Sequence, residues 1–411
     1  MSRLFFFTLL LIVFLDSCTN STQNEDDAEL IITFTDNWLC SSCDEGFLFY
    51  SKTDGTLLWS GNWAGNDTVN VEMNDIPDRV SITTITSDET GTYINLTTNY
   101  SIVPASWHFK GQPQFETIGS ITLDFQNVPE HQGYIIASKM HRRSSTYGTI
   151  SSPYNKNITT SPDNLYIRVN TIANGPSYMW IENVFNGETR TVDLLNLQPL
   201  QPKEIALPTS GEEISFNLRA YFNQDYYSGY YDIDYAYGLN YNQAENNHTV
   251  FYPPGLFSEY CTRFYLNEEA YPTYNWWNHM VIGNIPGELK KMSADFEFTS
   301  TDPTNFEINA TGVFNAVGSQ WKYEDDNGHI FLWSVYSSLQ NYKLPELPAS
   351  VVTKYPGLSS DLFSLTNASI TEHLGIQSQD ELLKKMFHQG LFYYNFVDGR
   401  FQRSKDPNGL R

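Results

Sequence analysis

From Leu30 onward the sequence breaks into short runs that alternate apolar and polar residues, and most runs end at Gly, Pro, Asn or Asp. Period-two alternation turns one side of an extended chain toward a core and the other toward water, so such runs read as β-strands. The first six are LIITFT (30–35), FLFYS (47–51), TLLWS (56–60), TVNVEM (68–73), RVSITTIT (79–86) and TYINLTT (92–98). Five follow Pro104: SITLDF (120–125), GYIIASKM (133–140), LYIRVNTI (165–172), YMWIENV (178–184) and TRTVDLL (189–195). Eight more run from EISFNLRAYF (213–222) through YYDIDYAY (230–237), TRFYL (262–266), HMVIG (279–283), SADFEFTS (293–300), FEINATGVF (306–314) and WKYED (321–325) to HIFLWSVY (329–336). Strands this short and this evenly spaced predict an all-β fold of serial sandwiches, immunoglobulin-like or transthyretin-like in outline.

Turn residues place hairpins within this series. Asp54-Gly55, Asn186-Gly187 and Asp326-Asn327-Gly328 each stand between two strand-like runs, and such pairs supply the positive φ of tight hairpin turns. The predicted units are 30–103, 104–196 and an aromatic-rich β region over 213–411, of one unit or two. Pro199, Pro202, Pro208 and Gly211 mark 197–212 as a linker. One helix interrupts the pattern: Ser378-Gln379-Asp380-Glu381 is a capping box ahead of Leu382, Leu383, Met386 and Phe387, with Gly390 as its stop. It is expected to lie on a sheet, followed by a strand LFYYNF (391–396).

Composition removes several function classes. Forty per cent hydrophobic residues exclude a disordered chain, and 47 Asp+Glu against 24 Lys+Arg give a net charge of −23. Such a surface repels phosphate backbones, so nucleic acid is not an expected partner.

The first residues set an address. Arg3 is followed by an apolar run from Leu4 to Leu15, and twelve residues of helix span only ~18 Å, too little for a ~30 Å bilayer core. Residues 1–17 therefore read as a signal peptide. Leu15-Asp16-Ser17-Cys18 resembles the lipobox of bacterial lipoproteins, and the acidic stretch TNSTQNEDDAE (19–29) resembles the surface-export signals of Bacteroidota lipoproteins. The resemblance implies lipid on Cys18, residues 18–29 as a tether, and a chain held at the outer membrane facing outward. The alternative is an ordinary secretory peptide with Cys18 incidental. The other cysteines are Cys40, Cys43 and Cys261. Cys40 and Cys43 form a CxxC without the second CxxC that a zinc site needs, so a small structural disulfide or two inert thiols are expected there. Cys261, among Tyr260, Phe264 and Tyr265, reads as a buried free thiol.

No motif fixes a chemistry. GxSxG, HExxH, Walker A, GxGxxG and EF-hand patterns are absent, and the eight histidines show no metal-ligand spacing, so no metal or cofactor is expected. Acidic pairs such as Asp232/Asp234, Glu268/Glu269 and Asp295/Glu297 are plentiful. Asp232 and Asp234, two apart on one strand, project from one face, where a solvated strand surface is the plain account and a cation or sugar hydroxyl the sharper one. What rises above background is aromatic density: 19 of the 57 residues from Tyr221 to Trp277 are Phe, Tyr or Trp, against 15% in the whole chain. The adjacent pairs Tyr226/Tyr227, Tyr230/Tyr231 and Trp276/Trp277 should each turn one ring away from the core, and exposed rings stack on sugar faces. The competing account is an aromatic cross-strand core. The expected function is therefore noncatalytic binding of a glycan or a surface partner protein. A structural or adhesin-like lipoprotein, or a glycan hydrolase, stand as alternatives.

Overall fold

The computed structural model describes residues 30–35, 46–73, 75–110, 117–139, 141–146, 148–208, 214–222, 229–239, 247–267, 275–388 and 397–407. The all-β class expected from the alternation is what forms, with sheets packed on sheets and short helical pieces between them. A twelve-stranded sheet is the spine. Its order is Tyr230–Leu239, Ile214–Tyr221, Glu259–Asn267, Trp276–Gly283, Gly399–Lys405, Ser364–Leu374, Ala316–Glu324, Ile330–Ser337, Tyr93–Ile102, Val80–Ser87, Gly46–Ser51 and Leu57–Trp63. Every neighbouring pair is antiparallel except one: Ile330–Ser337 runs parallel to Tyr93–Ile102, in register from Ile330 opposite Tyr93 to Ser337 opposite Tyr100.

That parallel seam joins segments that the sequence places in separate units, 30–103 and 213–411. Buried side chains fasten it, with Trp333 Nε1 donating to Thr98 Oγ1 at 2.8 Å and Thr98 sharing a 2.7 Å hydrogen bond with Thr83. The stretch expected to be a linker also contributes: Gln201–Ala206 pairs antiparallel with Asn247–Tyr252. Pro202 misleads because it lies in this two-stranded ribbon and Pro199 because it lies in Gln198–Pro199, at the edge of the five-stranded sheet, both places where a residue without an N–H is tolerated.

Smaller sheets cover the spine. Thr68–Val71, Leu30–Thr35 and Trp107–Lys110 face the last strands of that order, those of residues 46–102, across a core in which Phe34 stacks on Trp63 at 4.1 Å and on Phe109 at 5.2 Å. Gly46 lies under the Trp63 ring, which a Cβ would overlap at 2.3 Å, so glycine is required there. Strand Gly46–Ser51 is buried at every position, because Leu48 and Tyr50 enter this core while Phe47 and Phe49 enter the main one. The run FLFY has no polar alternate for that reason.

Residues 119–199 build a sandwich of their own around Ile121, Leu123, Ile136, Ile167 and Val169. The outer side of its larger sheet carries Ile135, Ala137 and Tyr166 into the main core. Asn186-Gly187 turns as expected, with Gly187 at φ +78°, yet it makes no hairpin. Gly175–Val184 pairs with Asp163–Thr171, whereas Thr189–Asp193 pairs with Gly119–Gln126 in the facing sheet, so the turn is a corner between sheets.

Candidate functional site

Five adjacent strands of the spine carry two different faces. On one, Leu96, Tyr100, Val317, Trp333, Val335, Ala368 and Ile370 enter the main core. Residues alternating with these point the other way, among them Thr97, Asn99, Gly318, Tyr336, Ser369, Thr371 and His373, joined by Arg400 and Gln402 on the next strand, with Ala316 and Val317 lining the same surface. Alternation has thus built a polar floor on the back of a hydrophobic sheet.

The helix that the capping box announces forms the roof. Ser378 Oγ accepts from the Glu381 N–H at 3.2 Å, which is the N-cap half of the box, while Glu381 Oε2 reaches one residue further back and accepts from the Gln377 N–H at 2.9 Å. Helix Gln379–Leu383 then widens into a π-type turn over Lys384–His388. Leu382, Leu383, Met386 and Phe387 line the underside. Phe387 is anchored beyond the cavity on Trp107 and Phe109, with ring centroids 5.0 and 5.1 Å away. At the other end Arg79 grips Asp380 with two hydrogen bonds of 2.9 and 2.7 Å.

Between floor and roof lies a cavity of about 350 Å³, at the lower end of the size range of small-ligand sites. Two of its polar groups are buried and incompletely used. Gln379 is 3% exposed, and neither atom of its amide has a hydrogen-bond partner. Arg400 Nη2 donates to Asn278 Oδ1 at 3.3 Å, while its buried Nε is unpartnered. Burial, with the Arg400 charge adding to it, pushes the His373 imidazole down to about 3, so that it is neutral at physiological pH. Buried polar groups left unpaired carry a desolvation cost, and a ligand that pairs them recovers it.

The residues singled out in the sequence lie elsewhere. Cys18, Cys40, Cys43, Tyr226, Tyr227, Glu268 and Glu269 fall outside the described residues, as does the run 391–396. Tyr231 is core, packed against Trp180, Phe222 and Phe257. Trp277 is buried, with Arg403 4.5 Å and Lys291 5.8 Å from its ring. Tyr230, half-buried, lies under the Arg219 guanidinium at 4.2 Å, and Trp276, half-buried, sits edge-on to Tyr265 at 5.9 Å. Tyr230 and Trp276 do not share a surface. Tyr230 aligns through Tyr221 with Glu259, and Trp276 pairs with Asn267 at the far end of that same strand, so about eight residues or ~27 Å separate them along the strands.

Asp232 and Asp234 are not a solvated face either. Both are buried, Asp232 paired with Arg219 at 3.0 Å and Asp234 with Arg168 at 2.6 Å. Asp295 and Glu297 pair with Lys405 at 3.1 and 2.8 Å. Cys261 is the buried free thiol its neighbours suggest, and burial pushes its pKa up.

Of the cavity residues, the sequence singled out only Gln379, as part of the capping box, and the apolar side of the helix, with His373 merely one of eight scattered histidines. The available signal was the polar alternates of strands whose other alternates are strongly apolar, as in Ser369, Thr371 and His373 beside Ala368 and Ile370.

No family model and no curated protein matches the chain. Among solved structures, one described as a "putative adhesin from Bacteroides ovatus" aligns with 62% of this chain and 70% of its own at 10% identity and a TM-score of 0.12. A likeness at that score carries no argument.

Proposed function

We propose that this protein is an exported, lipid-anchored surface protein that binds a small polar ligand, a glycan unit, in the cavity beneath Gln379–His388. The observation that carries the reading is the pair of unsatisfied polar groups in this cavity, a glutamine amide more than nine-tenths buried and a buried guanidinium Nε, neither of which has a partner. Sugars suit such walls: hydroxyls answer Asn99, Ser369, Thr371 and Gln379, and Tyr336 and Phe387 offer ring faces. The Cys18 lipobox resemblance supplies the location, since acyl chains hold a protein at a bilayer without a spanning helix.

The test is a glycan array probed with the full chain and with Gly318→Val. Gly318 lies on the cavity floor, where a new Cβ crowds the Ser369 Oγ at 2.9 Å, which a rotation of that hydroxyl relieves, and meets Val335 O and Tyr336 Cδ1 at ordinary contact distances of 3.9 and 4.0 Å, so bulk there fills the cavity. Signal for a glycan in the native protein that disappears in the variant supports the reading. Equal signal in both moves the site off the cavity, and no signal in either removes glycan binding.

A further inference from the structure

We propose that the cavity selects a ligand bearing a carboxylate, seated on the Arg400 guanidinium beneath the Gln379 amide. This rests on the reading of the cavity as a ligand site. Asp and Glu outnumber Lys and Arg by 47 to 24 in the chain, yet no acidic side chain lines the cavity among the described residues, and Arg400 is the one charged group that does. The local field is therefore opposite in sign to that of the molecule as a whole.

Hydrogen-bond accounting narrows the ligand further. Arg400 reaches one neutral partner, Asn278 Oδ1, through Nη2, and its Nε–H is buried without an acceptor. A planar guanidinium with an unmet Nε–H is matched by two oxygens held in a plane, the geometry of a carboxylate. The Gln379 side chain, on the roof above, has an N–H₂ to donate to the same group and a carbonyl to accept from a neighbouring hydroxyl. His373 pairs with Arg400 across adjacent strands, and its ring, being neutral, does not compete for the negative charge. Two sources supply this chemistry, a uronate sugar and a simple organic acid, and the hydroxyl-bearing floor is compatible with both.

Isothermal titration of the full chain in detergent distinguishes them. The probes are glucuronate and galacturonate, lactate and succinate, glucose and galactose as neutral counterparts, and inorganic phosphate. At least one carboxylate probe is expected to bind about tenfold or more tightly than its neutral counterpart, the scale of one charge-assisted hydrogen bond, and to weaken as salt is added. Preference among the carboxylates assigns the source. Arg400→Gln is expected to abolish the preference for the acid, and Gln379→Leu to weaken it several-fold. Should Arg400→Gln fail to fold, Gln379→Leu and the native acid-to-neutral ratio decide the matter. A neutral sugar that binds as well as its uronate overturns the carboxylate proposal while leaving the cavity reading standing. Tighter binding of phosphate, affinity unchanged in both variants, or no binding of any carboxylate also overturns it, and the Gly318→Val array tests the cavity reading separately.

Discussion

Arg168 Nη1 and Asp234 Oδ1 stand 2.6 Å apart where the sandwich of residues 119–199 meets the end strand of the twelve-stranded sheet, and both residues are more than nine-tenths buried. Each has further partners: Arg168 donates to Ile233 O at 3.3 Å and to Asn170 Oδ1 at 3.0 Å, and Asp234 accepts from the Phe251 N–H at 3.2 Å. A buried ion pair whose remaining hydrogen bonds are made fixes how two layers sit, and removing one partner strands the other charge. Asp234→Ala or Arg168→Leu alone is expected to cost about 3–5 kcal/mol, and the double replacement less than the sum of the two. Urea unfolding of the cycle checks this; additive losses would show that the two charges do not act as a unit.

The tryptophan neighbours should separate. Trp277, enclosed with Arg403 and Lys291 against its ring, is expected to cost ~3–5 kcal/mol as Trp277→Ala. Trp276, half-buried against Tyr265, should cost only about 1 kcal/mol. Thermal melts of the two variants decide, and equal losses would contradict the strand alternation that turns the rings to opposite faces.

Acid should loosen the fold through two buried imidazoles. Burial, then the Lys290 charge, pushes His279 from its ordinary 6.5 to about 4, and its Nδ1 accepts from the Lys290 N–H at 2.9 Å, a bond that protonation would break. Burial, then Arg400, pushes His373 from 6.5 to about 3. The unfolded chain takes up these protons below 6.5 while the folded chain does not, so their share of stability is intact above 6.5 and is lost as the pH falls toward 4 and then 3. Asp163, raised by burial from 3.8 to about 6, has the opposite sign, since its contribution is present below 3.8 and lost as the pH rises through 6. Comparing melting temperature against pH for native protein and His373→Gln isolates the histidine. The gap between them should narrow as the pH falls below 6.5, and parallel curves would refute the assignment.

The Arg79–Asp380 clasp holds the cavity roof at a half-exposed site, where such pairs contribute about 0–1 kcal/mol to global stability. Asp380→Ala should leave the melting temperature nearly unchanged but speed amide hydrogen exchange across 379–388, because local opening is governed by local contacts. Exchange at the native rate would mean that the Phe387 anchor alone fixes the roof.

Cys18→Ala should release the chain from membranes or leave residues 1–17 attached, if the lipobox resemblance reports a lipid anchor. Membrane fractionation and intact mass of the product are the measurements. Unchanged retention with an unchanged mass would remove the anchor from the proposed function.

Local patterns fixed the secondary structure because strand alternation, hairpin turns and helix caps depend on neighbouring residues. Asp54-Gly55 closes a hairpin, with the Gly55 N–H donating to Lys52 O and Gly55 at φ +88°, and Asp326-Asn327-Gly328 joins strands paired from Glu324 opposite Ile330. The Ser378 side-chain cap forms on the Glu381 N–H, with the Glu381 carboxylate turned back onto the Gln377 N–H. Strands that floor the cavity were harder to see. Gly399–Lys405 holds Arg400, Arg403 and Lys405, and Ser364–Leu374 ends on Thr371, Glu372 and His373, so neither offers a clean apolar stripe, though both are central in the spine.

Residue chemistry along the chain thus determined that this protein is all-β, where it turns, and that a capped helix lies near its C-terminal end. Partners distant in sequence were decided only by tertiary structure. The pairing of Ile330–Ser337 with Tyr93–Ile102 bridges more than two hundred residues, and nothing within either strand specifies it. The same holds for Asp234, whose burial depends on Arg168 arriving from another sheet, and for the cavity, whose walls come from six separate segments between Thr97 and Gln402. Period-two alternation states that a strand has two faces, but which face is covered, and whether by a core, a partner sheet or a roof over a cavity, is settled by what the rest of the chain packs against it.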